Sequence, residues 1–144
     1  MMETLHEVLP WIIVTICIIS EAFFAGSELA ILSSNRINLE ALAEQGDRSA
    51  ERVLWFRGNP DQLFGTTLLG TNISTVTGST IASLTLLSKD PAHGEWWAML
   101  IMSPLVLMGG EIIPKSLAQA HAIYYARFLS GPLKFFNRLF KPAI

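Results

Sequence analysis

The chain has 144 residues, of which 51% are hydrophobic and 15% charged, and its mean hydropathy is +0.42. This composition is too apolar for an ordinary soluble domain of this length and indicates that lipid is the solvent. The formal net charge of −2 is small and dispersed, which argues against a nucleic-acid surface. The single cysteine, Cys17, has no Cys or His neighbour at metal-ligand spacing, so disulfide frameworks and zinc sites are excluded.

The first apolar stretch predicts a membrane-spanning helix over residues 8–32. It is too long for a signal peptide, so we expect it to stay in the mature protein. Two acids, Glu21 and Glu28, lie within this span. A carboxylate in hydrocarbon costs at least about 2.5 kcal/mol, so both should face a partner helix or water. For Glu28 the alternative is that it only reaches the cytoplasmic interface.

Two segments outside the spans have amphipathic patterns. Residues 34–58 alternate charged and apolar side chains, which predicts connecting helices on the membrane surface with a turn at Gly46. Residues 122–141 interleave basic and aromatic side chains, which is typical of a juxtamembrane helix at the lipid surface. We expect this second helix to be broken at Gly131-Pro132.

The second predicted span, residues 62–88, carries no charge but many Ser and Thr residues. It is therefore expected to cross the membrane without facing lipid on all sides. Its Ser and Thr hydroxyls more often bond their own backbone than a ligand. Asn72 differs, because its carbonyl oxygen is a ligand type that hard cations accept. The alternative for Asn72 is a structural hydrogen bond between helices.

The third predicted span, residues 96–117, has the strongest local signal. Gly109 and Gly110 precede Glu111, and Pro114 follows. These residues weaken the backbone hydrogen bonds, and a broken helix with an acid at the break is a common way to build a membrane cation site. The alternative is a plain proline kink whose acid pairs with the lysine one turn later.

The distribution of Lys and Arg predicts the topology. None precede the first span, four lie between the first and second, one lies between the second and third, and five follow from Lys115 onward. The positive-inside rule then places the N-terminus outside and the C-terminus in the cytoplasm of a cell inner (plasma) membrane. We therefore expect an all-α, multi-pass integral membrane domain with three transmembrane helices and amphipathic helices on the cytoplasmic side.

The depths of the polar groups allow them to meet. Ser20 lies about 18 Å from the cytoplasmic end of its span and Asn72 about 16 Å from the end of its own. Gly109 and Gly110 lie somewhat shallower, at roughly 11 to 12 Å, and an unwound segment would bring them level. Ligation by oxygen alone favours Mg²⁺, Ca²⁺, Na⁺ or Mn²⁺. No credible nucleophile–base pair is present, so we do not expect an enzyme.

Several stretches resemble motifs of the CorC/CNNM (cyclin M) magnesium transporter family. They are SEAFFAGSELA (20–30), NR (35–36), LAEQGD (42–47), LLGTN (68–72) and GEIIPK (110–115). The resemblance implies a homodimeric transmembrane domain and Mg²⁺ efflux by alternating access, driven by Na⁺ entry. It also implies a Mg²⁺ site in each protomer, formed by Ser20, Ser27, Asn72, the carbonyls of Gly109 and Gly110, and Glu111.

Three further points follow from the resemblance. Many relatives have a serine where this chain has Ala25, so a hydroxyl ligand there is missing. Glu21 or Glu28 would balance charge or serve Na⁺. Family members usually continue into cytosolic nucleotide-binding domains, and because these are absent we expect a truncated chain. The alternative function is a membrane Mg²⁺ sensor or scaffold that does not transport.

Overall fold

The computed structural model describes residues 1–144, and every regular element in it is helical. The predicted all-α fold is therefore confirmed. The elements are α1 (Met2–Ser33), α2 (Arg36–Glu44), α3 (Arg48–Gly58), α4 (Pro60–Lys89), α5 (Gly94–Pro104), a π-helical segment (Leu105–Ile112), α6 (Ile113–Ala120), α7 (Ala122–Phe140) and a 3-10 turn (Lys141–Ala143).

Helix α1 is the centre of the fold, because α4, α6, α7 and the π segment all pack against it. The larger apolar core surrounds the C-terminal half of α1 and includes Phe24 and Ile31 together with Leu39, Phe56 and Leu133 from its neighbours. A smaller core at the other end joins α1, α4 and α5 through Val14, Ala82 and Met102. The middle of α1, between these two cores, is where polar groups can collect.

Two stretches are long and apolar enough to cross a membrane, namely Met2–Ser33 and Gly94–Ala120. Helix α4 has 30 residues, enough to cross as well, but its hydroxyl and amide side chains give it a lower hydropathy. It nevertheless exposes large apolar side chains such as Leu68, Val76 and Leu84. A surface of this kind suits contact with lipid on one side of α4.

Glycine allows α1 and α4 to approach closely. A Cβ atom at Gly70 would lie 2.4 Å from the ring of Phe24, and one at Gly78 would lie 3.0 Å from Cβ of Cys17. Any larger residue at Gly70 would therefore overlap a core aromatic ring. These two glycines serve packing within the chain.

Helices α2 and α3 form a hairpin with a capped start to each helix. The side chain of Asn35 accepts a hydrogen bond from the amide of Ile37, and Asp47 accepts one from the amide of Ser49. Gly46 lies at the turn between the helices with a φ of 90°, which a residue with a side chain rarely adopts. The hairpin places its charged residues beside α7.

The hairpin is fixed to α7 by basic side chains. Arg127 of α7 forms an ion pair with Asp47 and donates to the hydroxyl of Ser49 at 3.1 Å. Arg52 of α3 donates to the hydroxyl of Ser130 at 3.3 Å. These contacts join two segments that are about 80 residues apart in sequence, which is why sequence patterns did not reveal them.

Asp47 gives this attachment a dependence on pH. The Ser49 hydroxyl, the Ala50 amide and Arg127 hold the pKa of the Asp47 carboxyl below its ordinary value of 3.8. A depressed folded-state pKa stabilises the protein above that ordinary value, and the contribution is lost as pH falls toward the folded-state pKa. We expect Asp47→Asn to lower the melting temperature near neutral pH, and the difference from wild type to vanish in acid. A difference of equal size at all pH values would contradict this assignment.

Two expected helix breaks are absent. Helix α7 runs without interruption from Ala122 to Phe140, so the predicted break at Gly131-Pro132 is wrong. Ser130, Leu133 and other residues flanking Pro132 are buried against the core, and this packing offsets the lost backbone bond. The third apolar stretch is also continuous, since its backbone widens into the π segment instead of breaking.

Candidate functional site

The polar group buried deepest in the middle of α1 is the carboxyl of Glu21, which is 2% exposed. A Cβ atom at Gly110 would lie only 2.8 Å from its carboxyl carbon, so the π segment touches it directly. The Thr75 hydroxyl of α4 and the Glu111 carboxyl are its other polar neighbours. We call these four residues the Glu21–Glu111 cluster. It joins α1, α4 and the third apolar stretch at one point.

The local sequence explains why the backbone is irregular here. Gly109 and Gly110 are weak helix formers, and Pro104 directly precedes the π segment. Pro114 has no N–H to give to the carbonyl of Gly110, four residues earlier, so an ordinary α-helical bond is impossible there. π-helical turns occur often at functional sites. The irregular backbone lets the Gly110 main chain approach Glu21.

Neither acid of the cluster has a basic partner. The ion pairs of the protein are Arg36–Glu40, His93–Asp90 and Arg127–Asp47, and all lie outside the long apolar helices. The alternative that pairs Glu111 with Lys115 is thus not what the structure has. Two carboxylates that share a buried site repel each other unless a proton or a cation lies between them. The cluster is therefore built to attract positive charge.

A second intramembrane acid contacts α4 independently. The Thr67 hydroxyl lies 2.5 Å from Oε2 of Glu28 and can donate to it. Glu28 is half-buried, so it faces the neighbouring helix in addition to approaching the interface. The structure thus places one acid of α1 against a threonine of α4 at each of two levels, Glu21 with Thr75 and Glu28 with Thr67.

Of the predicted ligands, Gly110 and Glu111 come together at Glu21. Ser20 is half-buried next to it in sequence, and Gly109 is half-buried, with Ile18 3.5 Å from where its Cβ would lie. Gly109 therefore adjoins the cluster along the chain, whereas Ser20 points about 100° away from Glu21 around α1.

Two other predicted ligands are placed differently. Ser27 is fully buried, and its hydroxyl donates to the carbonyl of Phe23 at 2.6 Å, which is the local bond that serines in membrane helices often make. Asn72 is exposed on α4, one turn before Thr75 and two turns before Ser79, so it lies on the flank of α4 that carries these hydroxyls. Within this single chain the structure brings neither side chain to Glu111.

Glu21 and Thr75 belong to the cluster but are not among the metal ligands predicted from the sequence. For Glu21 the available signal was its position near the middle of an apolar span. For Thr75 the signal is a repeat: α4 carries a hydroxyl at every fourth position over five positions, Thr67, Thr71, Thr75, Ser79 and Ser83. Residues four apart form a continuous ridge on a helix, so such a repeat predicts a polar strip.

Long apolar helices that enclose unpaired acids define an integral membrane protein with an intramembrane polar site. Residues 12–144 match the family described as the cyclin M transmembrane N-terminal domain, so the chain belongs to that family. The resemblance of its motifs is thereby confirmed.

Three curated relatives illustrate the family. The chain is 31% identical to a UPF0053 protein of Haemophilus influenzae over 93% of its own length. It is 31% identical to the UPF0053 inner membrane protein YfjD of Escherichia coli K12 over 78%. It is 35% identical over 49% of its length to a protein of Escherichia coli K12 named polyamine export protein. The chain spans 32%, 27% and 16% of these relatives' lengths, respectively. The family is thus one of membrane proteins associated with transport.

Proposed function

We propose that this domain carries Mg²⁺ across the cell inner membrane, with the cation bound at the Glu21–Glu111 cluster. The observation that carries the proposal is a pair of carboxylates without a basic partner between three helices at the middle of α1, with Glu21 buried and Glu111 half-buried. Charges at this depth are costly, and a divalent cation would neutralise both at once. Transport without a covalent step requires no nucleophile, so we propose no enzymatic activity.

The donor set supports a hard cation. The cluster offers two carboxylates and the Thr75 hydroxyl beside the Gly110 main chain, and no sulfur or imidazole. Nowhere do three His, Cys, Asp or Glu side chains come together as a transition-metal site would require. Mg²⁺ usually keeps several waters and takes one or two carboxylates, which this cluster can supply. The family resemblance adds Ser20 and Gly109, which are next to Glu21 and Gly110 in sequence.

Exposure of Asn72 supports the proposed homodimer. We propose that α4 is the third membrane-spanning helix, with the N-terminus outside and the C-terminus in the cytoplasm. An exposed amide on such a helix would lack hydrogen-bond partners within one protomer. A second copy packed on this side would cover Asn72 and give it partners. Ser27 donates its hydroxyl proton to the Phe23 carbonyl and keeps oxygen lone pairs for a cation, so we propose that it joins the ligands in another state of the alternating-access cycle.

Flux measurements test the proposal. Purified protein in liposomes should release Mg²⁺ from the lumen when an inward-directed Na⁺ gradient is applied, and Glu111→Gln should abolish this flux. Mg²⁺ binding without flux would contradict transport and support the alternative of a membrane sensor or scaffold. Mg²⁺ flux that does not depend on the Na⁺ gradient would contradict the proposed Na⁺ coupling but would still support Mg²⁺ transport.

One relative's name favours a second candidate. The polyamine export protein of Escherichia coli matches half of the chain, and two carboxylates can also pair with the ammonium groups of an organic polycation. The same liposomes loaded with spermidine separate the two. Spermidine release with no Mg²⁺ release would replace the proposed cargo.

A further inference from the structure

A groove of about 700 Å³ runs between α4 and the third apolar stretch, from Glu95 at one end to Glu111 at the other. Glu95 is exposed in the first turn of α5, on the side of the molecule where α4 ends. The 16 residues from Glu95 to Glu111 cover roughly 24 Å at about 1.5 Å per residue, most of a hydrocarbon layer. The groove therefore leads from the surface to the Glu21–Glu111 cluster.

Polar groups line the groove on both sides. From α4 come Thr75, Ser79 and Ser83, the outer part of the hydroxyl ridge. From the opposite side come Glu95, Ser103 and Glu111, which are spaced eight residues apart. Glu95 and Ser103 belong to α5 and Glu111 to the π segment, so the groove follows the third apolar stretch across the change of helix type.

The groove hydroxyls differ from others on the same helix in their hydrogen bonds. Thr66, Thr71 and Thr85 of α4 donate to the backbone carbonyl four residues earlier. Ser79 and Ser83 make no hydrogen bond within the protein, and they are not sealed from solvent. Free hydroxyls in an apolar environment are unfavourable unless water or a ligand satisfies them. Their oxygens are available to a hydrated cation.

We propose that this groove is the aqueous path between the Glu21–Glu111 cluster and the outer face of the membrane, with Glu95 attracting cations at its mouth. The identity of the cation rests on the function proposed above, whereas the path itself does not. Ser79, Ser83 and Ser103 replace part of the hydration shell along the way. The remaining walls are apolar, with Ala98, Met102 and Val106 among them, so the cation keeps some of its waters as it passes.

Cysteine accessibility tests the path without relying on transport. In a Cys17→Ala background, Ser79→Cys and Ser83→Cys are near-isosteric changes, and Ile73→Cys and Leu84→Cys on the exposed apolar side of α4 are matched controls. A membrane-impermeant, positively charged methanethiosulfonate reagent is added to the outer face of intact spheroplasts that express the protein. We expect the groove cysteines to react at least about tenfold faster than the controls, because only thiols in contact with water ionise and react. Glu95→Gln should slow the charged reagent several-fold and leave a neutral reagent unaffected.

The outcomes distinguish the two proposals. Groove cysteines that react no faster than Ile73→Cys and Leu84→Cys would overturn the path, even where Mg²⁺ flux is present. Equal slowing of charged and neutral reagents by Glu95→Gln would overturn the role of Glu95. Fast labelling in a protein that shows no Mg²⁺ flux would support the path and overturn Mg²⁺ as its cargo.

Discussion

Glu111→Gln should weaken Mg²⁺ binding about a hundredfold, which corresponds to about 2.8 kcal/mol. The change keeps the size and hydrogen-bonding ability of the side chain but removes one of two negative charges from the Glu21–Glu111 cluster. Glu21→Gln should have a comparable effect, because the two acids act on the same ion. Isothermal titration calorimetry on the purified protein measures both affinities, and the melting temperature without Mg²⁺ shows whether the fold is intact.

Two further variants sharpen this test. Glu40→Gln removes an exposed acid that pairs with Arg36 on the membrane surface, so it should leave Mg²⁺ affinity unchanged. Asn72→Ala tests whether the exposed amide is a ligand of the bound cation. Loss of Mg²⁺ affinity would show that it is, and unchanged affinity would remove it from the ligands. Wild-type affinity in both Glu111→Gln and Glu21→Gln would refute the site.

Gly70→Ala should destabilise the protein by about 1–3 kcal/mol, the usual cost of overpacking a core. The new Cβ would lie 2.4 Å from the Phe24 ring, which is itself packed edge-on against Phe136 with centroids 5.1 Å apart. The ring has little room to retreat, so α1 and α4 must separate. Thermal unfolding in detergent, followed by circular dichroism, measures the loss.

A compensating change provides the control for this clash. Phe24→Leu costs stability by itself, but the double variant Gly70→Ala with Phe24→Leu should be more stable than the sum of the two single changes predicts. Gly58→Ala, where a Cβ would meet nothing within 4 Å, should cost far less than Gly70→Ala. Strict additivity at Gly70 and Phe24 would mean that the close contact between α1 and α4 is not what the glycine serves.

Several sequence patterns led to correct expectations because they depend on neighbours along the chain. The apolar runs and amphipathic patterns predicted an all-helical fold, which the structure has. The predicted spans, residues 8–32, 62–88 and 96–117, fall within α1, α4 and the stretch Gly94–Ala120, respectively. The glycine pair before Glu111 predicted irregular backbone at that position, which the structure has as a π segment. What the pattern did not decide is how the backbone adapts, because widening or breaking depends on the packing around it.

Proline illustrates the same limit. Gly131-Pro132 satisfies every local criterion for a helix break, yet α7 continues through it. A lost backbone bond costs a few kcal/mol, and burial of several side chains on both sides of Pro132 can offset that amount. Such burial involves residues far away in sequence, and it is invisible to a local pattern.

Composition and motifs by themselves determined that this chain is an all-α membrane protein of the cyclin M transmembrane family with acids inside an apolar span. Only the tertiary structure decided which oxygen atoms face each other: Glu21 lies beside Glu111, Ser27 bonds its own helix, and Asn72 is exposed. The physical reason is rotation. Residue spacing gives depth along each helix, whereas the direction of a side chain depends on how neighbouring helices pack, and small shifts in pitch such as the π segment change that direction.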